Sequence, residues 1–152
     1  MPAKALATGP VLVVEDSIDD FEATQRAFRK AGLNSAIEHL YSGEDALAYL
    51  KTPANAWPAL ILLDLNMPGM GGRKMLELLK KDDAFKDIPV VILTTSNYDA
   101  DVRMCYALGA NTYVQKPVDF DVLSSSIRNI KEYWLETALL PPKGQAARPA
   151  AT

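Results

Sequence analysis

A doubly wound α/β domain is the fold class that the sequence predicts, and three observations predict it. The runs Val11-Leu12-Val13-Val14, Leu60-Ile61-Leu62-Leu63 and Val90-Val91-Ile92-Leu93 are apolar throughout, which suits parallel strands buried on both faces. Segments of helical period separate them, so strand and helix alternate, and that alternation requires a parallel sheet joined by right-handed crossovers. Each run also leads into a charged or hydroxyl side chain. In open α/β sheets, reactive groups collect in the crevice beyond the carboxyl ends of the strands.

The elements follow in order. Residues 1–9 are small and aperiodic and are expected to be a disordered lead. The first strand ends at Glu15-Asp16. Ser17 and Asp19 can then cap a helix carrying Phe21, Thr24, Ala27, Phe28 and Ala31 on one face, with Gly32 as its stop. Ala36 to Tyr41 reads as a weaker strand, and Ser42 opens a helix through Ala46, Leu47 and Leu50. The strand Leu60 to Leu63 ends at Asp64. A loop at Gly69 to Gly72 precedes a helix expected over Arg73 to Lys81, with Gly71 as its cap. The fourth strand, introduced by Pro89, ends at Thr94, Thr95 and Ser96. Asp99 to Leu108 is helical and stops at Gly109, Thr112 to Gln115 is a fifth strand ending at Lys116-Pro117, and Asp119 caps a last helix. Residues 10–140 thus form one domain with an extended C-terminal helix, and the Pro-, Ala- and Lys-rich residues 141–152 are expected to be a disordered tail.

Composition narrows the function. The chain has 152 residues, 49% of them hydrophobic, enough for one domain with a core and too few for two. Sixteen basic and nineteen acidic side chains give a net charge of -3 with no long basic run, which argues against nucleic acid as a partner. No apolar stretch is long enough to span a membrane. A lone cysteine, Cys105, and the lack of a signal-peptide pattern point to the cytoplasm.

The residues finishing the strong strands are Glu15, Asp16, Asp64, Thr94 and Lys116: three carboxylates, a hydroxyl and an ammonium. Hard carboxylate oxygens suit Mg²⁺, with Asp16 and Asp64 as direct-ligand candidates. Asp64 would then supply the nucleophilic oxygen for an acyl phosphate, with Thr94 and Lys116 holding the remaining phosphoryl oxygens. Any one of these residues has a bland reading, as a helix cap or a solvated surface charge. Their joint placement does not.

Val13-Val14-Glu15-Asp16, Leu63-Asp64-Leu65-Asn66-Met67-Pro68, Leu93-Thr94 and Tyr113-Val114-Gln115-Lys116-Pro117 together resemble the response-regulator receiver domains of two-component signalling, over about residues 10–135. The resemblance implies a flavodoxin-like five-stranded sheet of order 2-1-3-4-5 with five helices. It implies Asp64 as phosphoacceptor, Asp16 as a direct metal ligand, Glu15 acting on the metal mainly through water, and the Asn66 carbonyl as a third ligand. Thr94 and Lys116 align with the switch hydroxyl and the phosphate-contacting lysine. Movement of Thr94 toward the phosphoryl oxygen is expected to leave space for the ring of Tyr113 to turn inward. Glu15-Asp16-Ser17 with Asp19-Asp20, Leu93-Thr94-Thr95-Ser96 and Glu132-Tyr133-Trp134-Leu135 are similar to the small regulators that work with bacterial and cyanobacterial phytochrome histidine kinases. Such a kinase is the expected phosphodonor, and a further protein is expected either to read the phosphorylated state or to take the phosphate onward.

Other functions fit less well. A Mg²⁺-dependent phosphohydrolase of the haloacid-dehalogenase type needs a second Asp two residues after the nucleophile, where Asn66 stands. Flavin binding on this fold needs a hydroxyl- and glycine-rich phosphate loop, where Glu15-Asp16 would repel phosphate. Nothing in the acid set favours a dimerisation module without phosphoryl chemistry. His39 reads as an ordinary strand side chain away from the acids, and Cys105 as a small apolar residue. On the last helix, Leu123, Ile127, Ile130 and Trp134 form the stripe expected to cover the sheet. Tyr133, Leu135, Leu139 and their neighbours add apolar surface beyond it, and a homodimer held by Tyr133, Trp134, Leu135 and Leu139 is expected.

Overall fold

The computed structural model describes residues 9–142; most of the expected lead and tail therefore lies outside the described residues. Five strands, β1 (Val11–Val14), β2 (Ile37–Leu40), β3 (Leu60–Leu63), β4 (Val90–Thr94) and β5 (Thr112–Gln115), alternate with five helices. The helices are α1 (Ile18–Lys30), α2 (Gly43–Leu50), α3 (Gly71–Lys81), α4 (Asp99–Leu108) and α5 (Phe120–Lys131), and a π-helical segment, Glu132–Thr137, extends α5. The strands form one parallel sheet of order β2-β1-β3-β4-β5. This is the flavodoxin-like order the motifs implied.

Two apolar layers sandwich that sheet because side chains alternate across a strand. Leu12, Val14, Ile61, Leu63, Val90 and Ile92 face one layer with Met75, Leu76 and Leu79 of α3. Val11, Val13, Leu60, Leu62, Val91 and Leu93 face the other, with Ala27 and Phe28 of α1 and Leu123, Ile127 and Ile130 of α5. The central strands β1, β3 and β4 are buried at every position, which is why their sequences are unbroken apolar runs. The edge strand β2 is only partly buried, and its sequence Ile37-Glu38-His39-Leu40 is correspondingly mixed.

Three local details differ from expectation. Helix α3 starts at Gly71, two residues early, and the cap position is Met70, without a side-chain bond. Gly71 takes a φ of +75°, so it serves as a left-handed turn residue rather than as the cap. The second detail is at the C-terminus: the Ala138 amide bonds back to the Tyr133 carbonyl, a five-residue step that widens the helix. The inward stripe therefore continues from Ile130 to Leu135, five residues on. Leu135, expected on a surface for a second copy, is 7% exposed and packs into its own core, with Trp134 and Leu140 partly buried beside it. Tyr133 and Leu139 stay exposed. The third detail concerns His39, which is not remote from the acids: it donates from Nε2 to the Glu15 carbonyl at 2.7 Å and stacks on Phe21.

Candidate functional site

The strand order reverses between β1 and β3, and the carboxyl ends of those two strands open the crevice. Glu15 and Asp16 follow β1 directly, and Asp64 follows β3, its amide donating to the Val14 carbonyl to bring the two ends together. Glu15, Asp16 and Asp64 each offer an oxygen within 4.8 Å of the others. Glu15 and Asp64 are buried, whereas Asp16 is exposed at the mouth. Three hard oxygen donors so close, one of them facing solvent, fit a small divalent cation that keeps several waters.

The polar partners converge from β4 and β5. Thr94 ends β4 fully buried, and its hydroxyl donates to Asp64 Oδ1 at 2.9 Å. The Asn66 amide donates to the same oxygen at 3.2 Å, and the Asn66 side chain reaches the Thr94 hydroxyl at 3.4 Å. Lys116 follows β5. Its ammonium lies 2.6 Å from Glu15, 3.0 Å from Asp20 and 3.7 Å from Asp64 Oδ2, and only 9% of the side chain is exposed.

Electrostatics follow from that crowding. Burial pushes the Glu15 carboxyl up to about 7; the Lys116 hydrogen bond opposes the rise and the nearby Asp64 charge adds to it. Burial pulls the Lys116 ammonium down, but Glu15, Asp64 and Asp20 outweigh it and hold the group above its ordinary value. The second oxygen of Glu15 accepts from the Ser17 amide at 3.2 Å, so this carboxylate is committed to protein partners on both sides. Asp16 has no such commitment to Lys116.

Backbone shape matters as much. A Cβ at Gly72 would sit 2.1 Å from the Asp64 carbonyl oxygen, so only glycine lets the start of α3 pass this close to Asp64. Tyr113 lies on β5 beside the loop after β4; its hydroxyl donates to the Ser96 carbonyl at 2.8 Å. Arg73 of α3 pairs with Asp101 of α4, and Asp101 accepts from the Ser96 hydroxyl, so helices α3 and α4 both hold that loop. Cys105 is fully buried, and burial raises its thiol, in line with an inert apolar role.

The fold brings Glu15, Asp16, Asp64, Asn66, Thr94 and Lys116, all expected from the strand ends and motifs, into one crevice. Asp20 and the Arg73–Asp101–Ser96 network join this crevice and its flank only in the folded structure. Asp20 had a signal: it stands three residues after the cap Ser17, on the first turn of α1 and next to the strand end. The Arg73–Asp101 leg of the network had none, since it joins residues of two helices, 28 apart in sequence, with no motif at either end.

Residues 11–128 match the family model of the response regulator receiver domain. A probable methanogenesis regulatory protein, FilR2 of Methanothrix harundinacea, is 38% identical over 128 residues, covering 82% of this chain and 83% of that protein. The response regulator Rcp1 of Synechocystis sp. is 36% identical over 135 residues, covering 86% and 92%. Its Mn²⁺-bound crystal structure superposes with a TM-score of 0.81, covering 88% of this chain and 99% of that one. The phosphorylated cyanobacterial phytochrome response regulator RcpA gives the same TM-score at 35% identity, covering 89% and 99%. With a family match over residues 11–128 and superpositions on solved response regulators at a TM-score of 0.81, the chain belongs to the response-regulator receiver-domain family.

Proposed function

We propose that Asp64 accepts a phosphoryl group from the phosphohistidine of a histidine kinase, and that the acyl phosphate changes how this protein meets its partners. The observation that carries the reading is the convergence of Thr94 and Lys116 on the two oxygens of the buried Asp64. An Asp64 oxygen attacks phosphorus, the nitrogen–phosphorus bond of the donor breaks, and its electron pair returns to the imidazole. Thr94 already donates to the Asp64 carboxylate, so its hydroxyl is placed to follow the phosphoryl oxygens. Lys116, close to Asp64 Oδ2, is placed to meet another. Bound Mg²⁺ would neutralise charge on the transferring group, and Asp16, Asp64 and the Asn66 carbonyl, with Glu15 through water, are the residues to hold it. The Mn²⁺-bound form of the relative Rcp1 supports a divalent ion in this role. Asn66 stands two residues after Asp64 and carries no acid, so the chemistry ends on the protein itself rather than on a turnover substrate.

The switch is read through Tyr113. Its hydroxyl bond to Ser96 ties the ring to the loop that follows Thr94, so a shift of Thr94 toward the phosphoryl group alters that bond. The kinase is proposed to be a phytochrome, on the strength of the similarity to RcpA, with the pair meeting in the cytoplasm. Residues 10–140 act as one receiver domain, and a homodimer forms through the exposed Tyr133 and Leu139 with the half-buried Trp134, while Leu135 stays in its own core. No helix among the described residues is long and apolar enough to cross a membrane.

Acetyl phosphate with Mg²⁺, followed by intact-mass measurement, tests the chemistry. A phosphoryl adduct on the native protein that disappears in Asp64→Asn is expected; equal labelling of both would overturn the assignment. Light scattering tests the dimer, and a monomer at high micromolar concentration, with and without a phosphoryl mimic, would remove it.

A further inference from the structure

We propose that Asp20 is a positioning residue for phosphoryl acceptance: in the resting protein it holds the Lys116 ammonium back from Asp64, and the incoming phosphoryl group must draw the lysine away from it. The inference rests on the phosphoacceptor reading above and names a residue outside that set. Lys116 lies 2.6 Å from Glu15 and 3.0 Å from Asp20, but 3.7 Å from Asp64 Oδ2, beyond a hydrogen bond. Its resting partners are therefore Glu15 and Asp20.

The ordinary reading of Asp20 is half of a capping box, in which the acid three residues after the cap reaches back to the cap residue's amide. Half of that box is present: the Ser17 hydroxyl accepts from the Asp20 amide at 3.2 Å. The other half is taken, because the Ser17 amide donates to Glu15 Oε2 at 3.2 Å. The Asp20 carboxylate is thus released from capping and turned onto Lys116. The two holds on the lysine also differ in strength. Glu15 is 6% exposed and Asp20 is 45% exposed, so the Asp20 contact is weaker and is the one a phosphoryl dianion displaces first.

Asp20→Asn keeps the shape and removes the charge. Asp19→Asn removes the same charge from the same exposed turn, at a residue outside the Lys116 contacts, and serves as the control for plain repulsion of an anionic donor. Initial rates of adduct formation with acetyl phosphate and Mg²⁺ are compared by intact mass across native protein, Asp20→Asn, Asp19→Asn and Asp20→Glu. Asp20→Asn is expected to accept phosphate about two- to fivefold faster, the ratio set by a half-exposed ion pair, with Asp19→Asn unchanged and Asp20→Glu near native. A side-chain resonance of Lys116 in lysine-labelled protein should shift in Asp20→Asn alone. Equal rates for native and Asp20→Asn, or an equal gain in Asp19→Asn, would overturn the inference. Absence of any adduct on native protein would instead overturn the phosphoacceptor reading beneath it.

Discussion

Two lysines largely withdrawn from solvent sit at opposite ends of the same sheet, and they are satisfied in opposite ways. Lys116, at the carboxyl end, faces the carboxylates of Glu15, Asp20 and Asp64. Lys80, at the amino end, donates to the Lys86 and Ile88 carbonyls and to Asn111 Oδ1, at 2.9, 2.8 and 3.3 Å. Asn111 Oδ1 in turn accepts from the Val90 amide at 2.8 Å, so Lys80 ties the approaches to β4 and β5 together. Neutral acceptors do not offset burial of a charge as carboxylates do: burial pulls Lys80 down to about 8, with only Asp87 opposing, while Lys116 is held above its ordinary value. One lysine is a strut between loops. The other balances an excess of negative charge, and under the proposed function that balance would be redistributed on phosphoryl transfer.

The contrast can be broken most forcefully by removing each ammonium. Lys116→Met leaves buried Glu15 and Asp64 uncompensated and is expected to cost about 3 kcal/mol in urea unfolding without metal. Millimolar Mg²⁺ should recover much of that loss, because the cation replaces the missing charge. Lys80→Met strands loop carbonyls and is expected to cost about 2 kcal/mol, with or without Mg²⁺, while adduct formation at Asp64 stays native. Mg²⁺ rescue of Lys80→Met, or its failure with Lys116→Met, would erase the distinction.

Alkaline titration sharpens it further. Because the folded state holds Lys80 below its ordinary 10.5, the unfolded chain binds more protons between about pH 8 and 10.5. The Lys80 contribution to stability therefore rises with pH across that window, and Lys80→Met should lose that rise. Lys116 is shifted the other way, so its contribution persists through the window and fades only as pH passes its folded pKa. Unfolding midpoints at pH 8 and pH 10 for native protein and both variants give the comparison. The smallest effect is expected from Asp20→Asn, which should change stability by less than about 0.5 kcal/mol because the pair is half exposed. A large loss there would make Asp20 a structural residue.

The central strands were legible because burial on both faces demands unbroken apolar runs, and β1, β3 and β4 begin at the residues those runs marked. The convergence of the six candidate residues was legible for a related reason: a parallel sheet delivers the ends of its strands to one rim, so residues remote in sequence become neighbours by topology alone. Helix α3 starts two residues ahead of the sequence expectation because the φ of +75° at Gly71 belongs to a turn that local propensity does not describe.

What the sequence determined by itself is thus the alternation of elements, the strand order through its motifs, and the identity of the groups at the rim. Tertiary structure alone decided which partner each group took. Whether Asp20 caps α1 or holds Lys116 depends on Glu15 occupying the Ser17 amide first. Whether Trp134 or Leu135 faces the core depends on one five-residue step at the end of α5. Both are competitions among nearby alternatives for a single hydrogen-bond donor or a single patch of apolar surface. Such competitions are settled by distances of an ångström or two, which residue spacing along the chain does not encode.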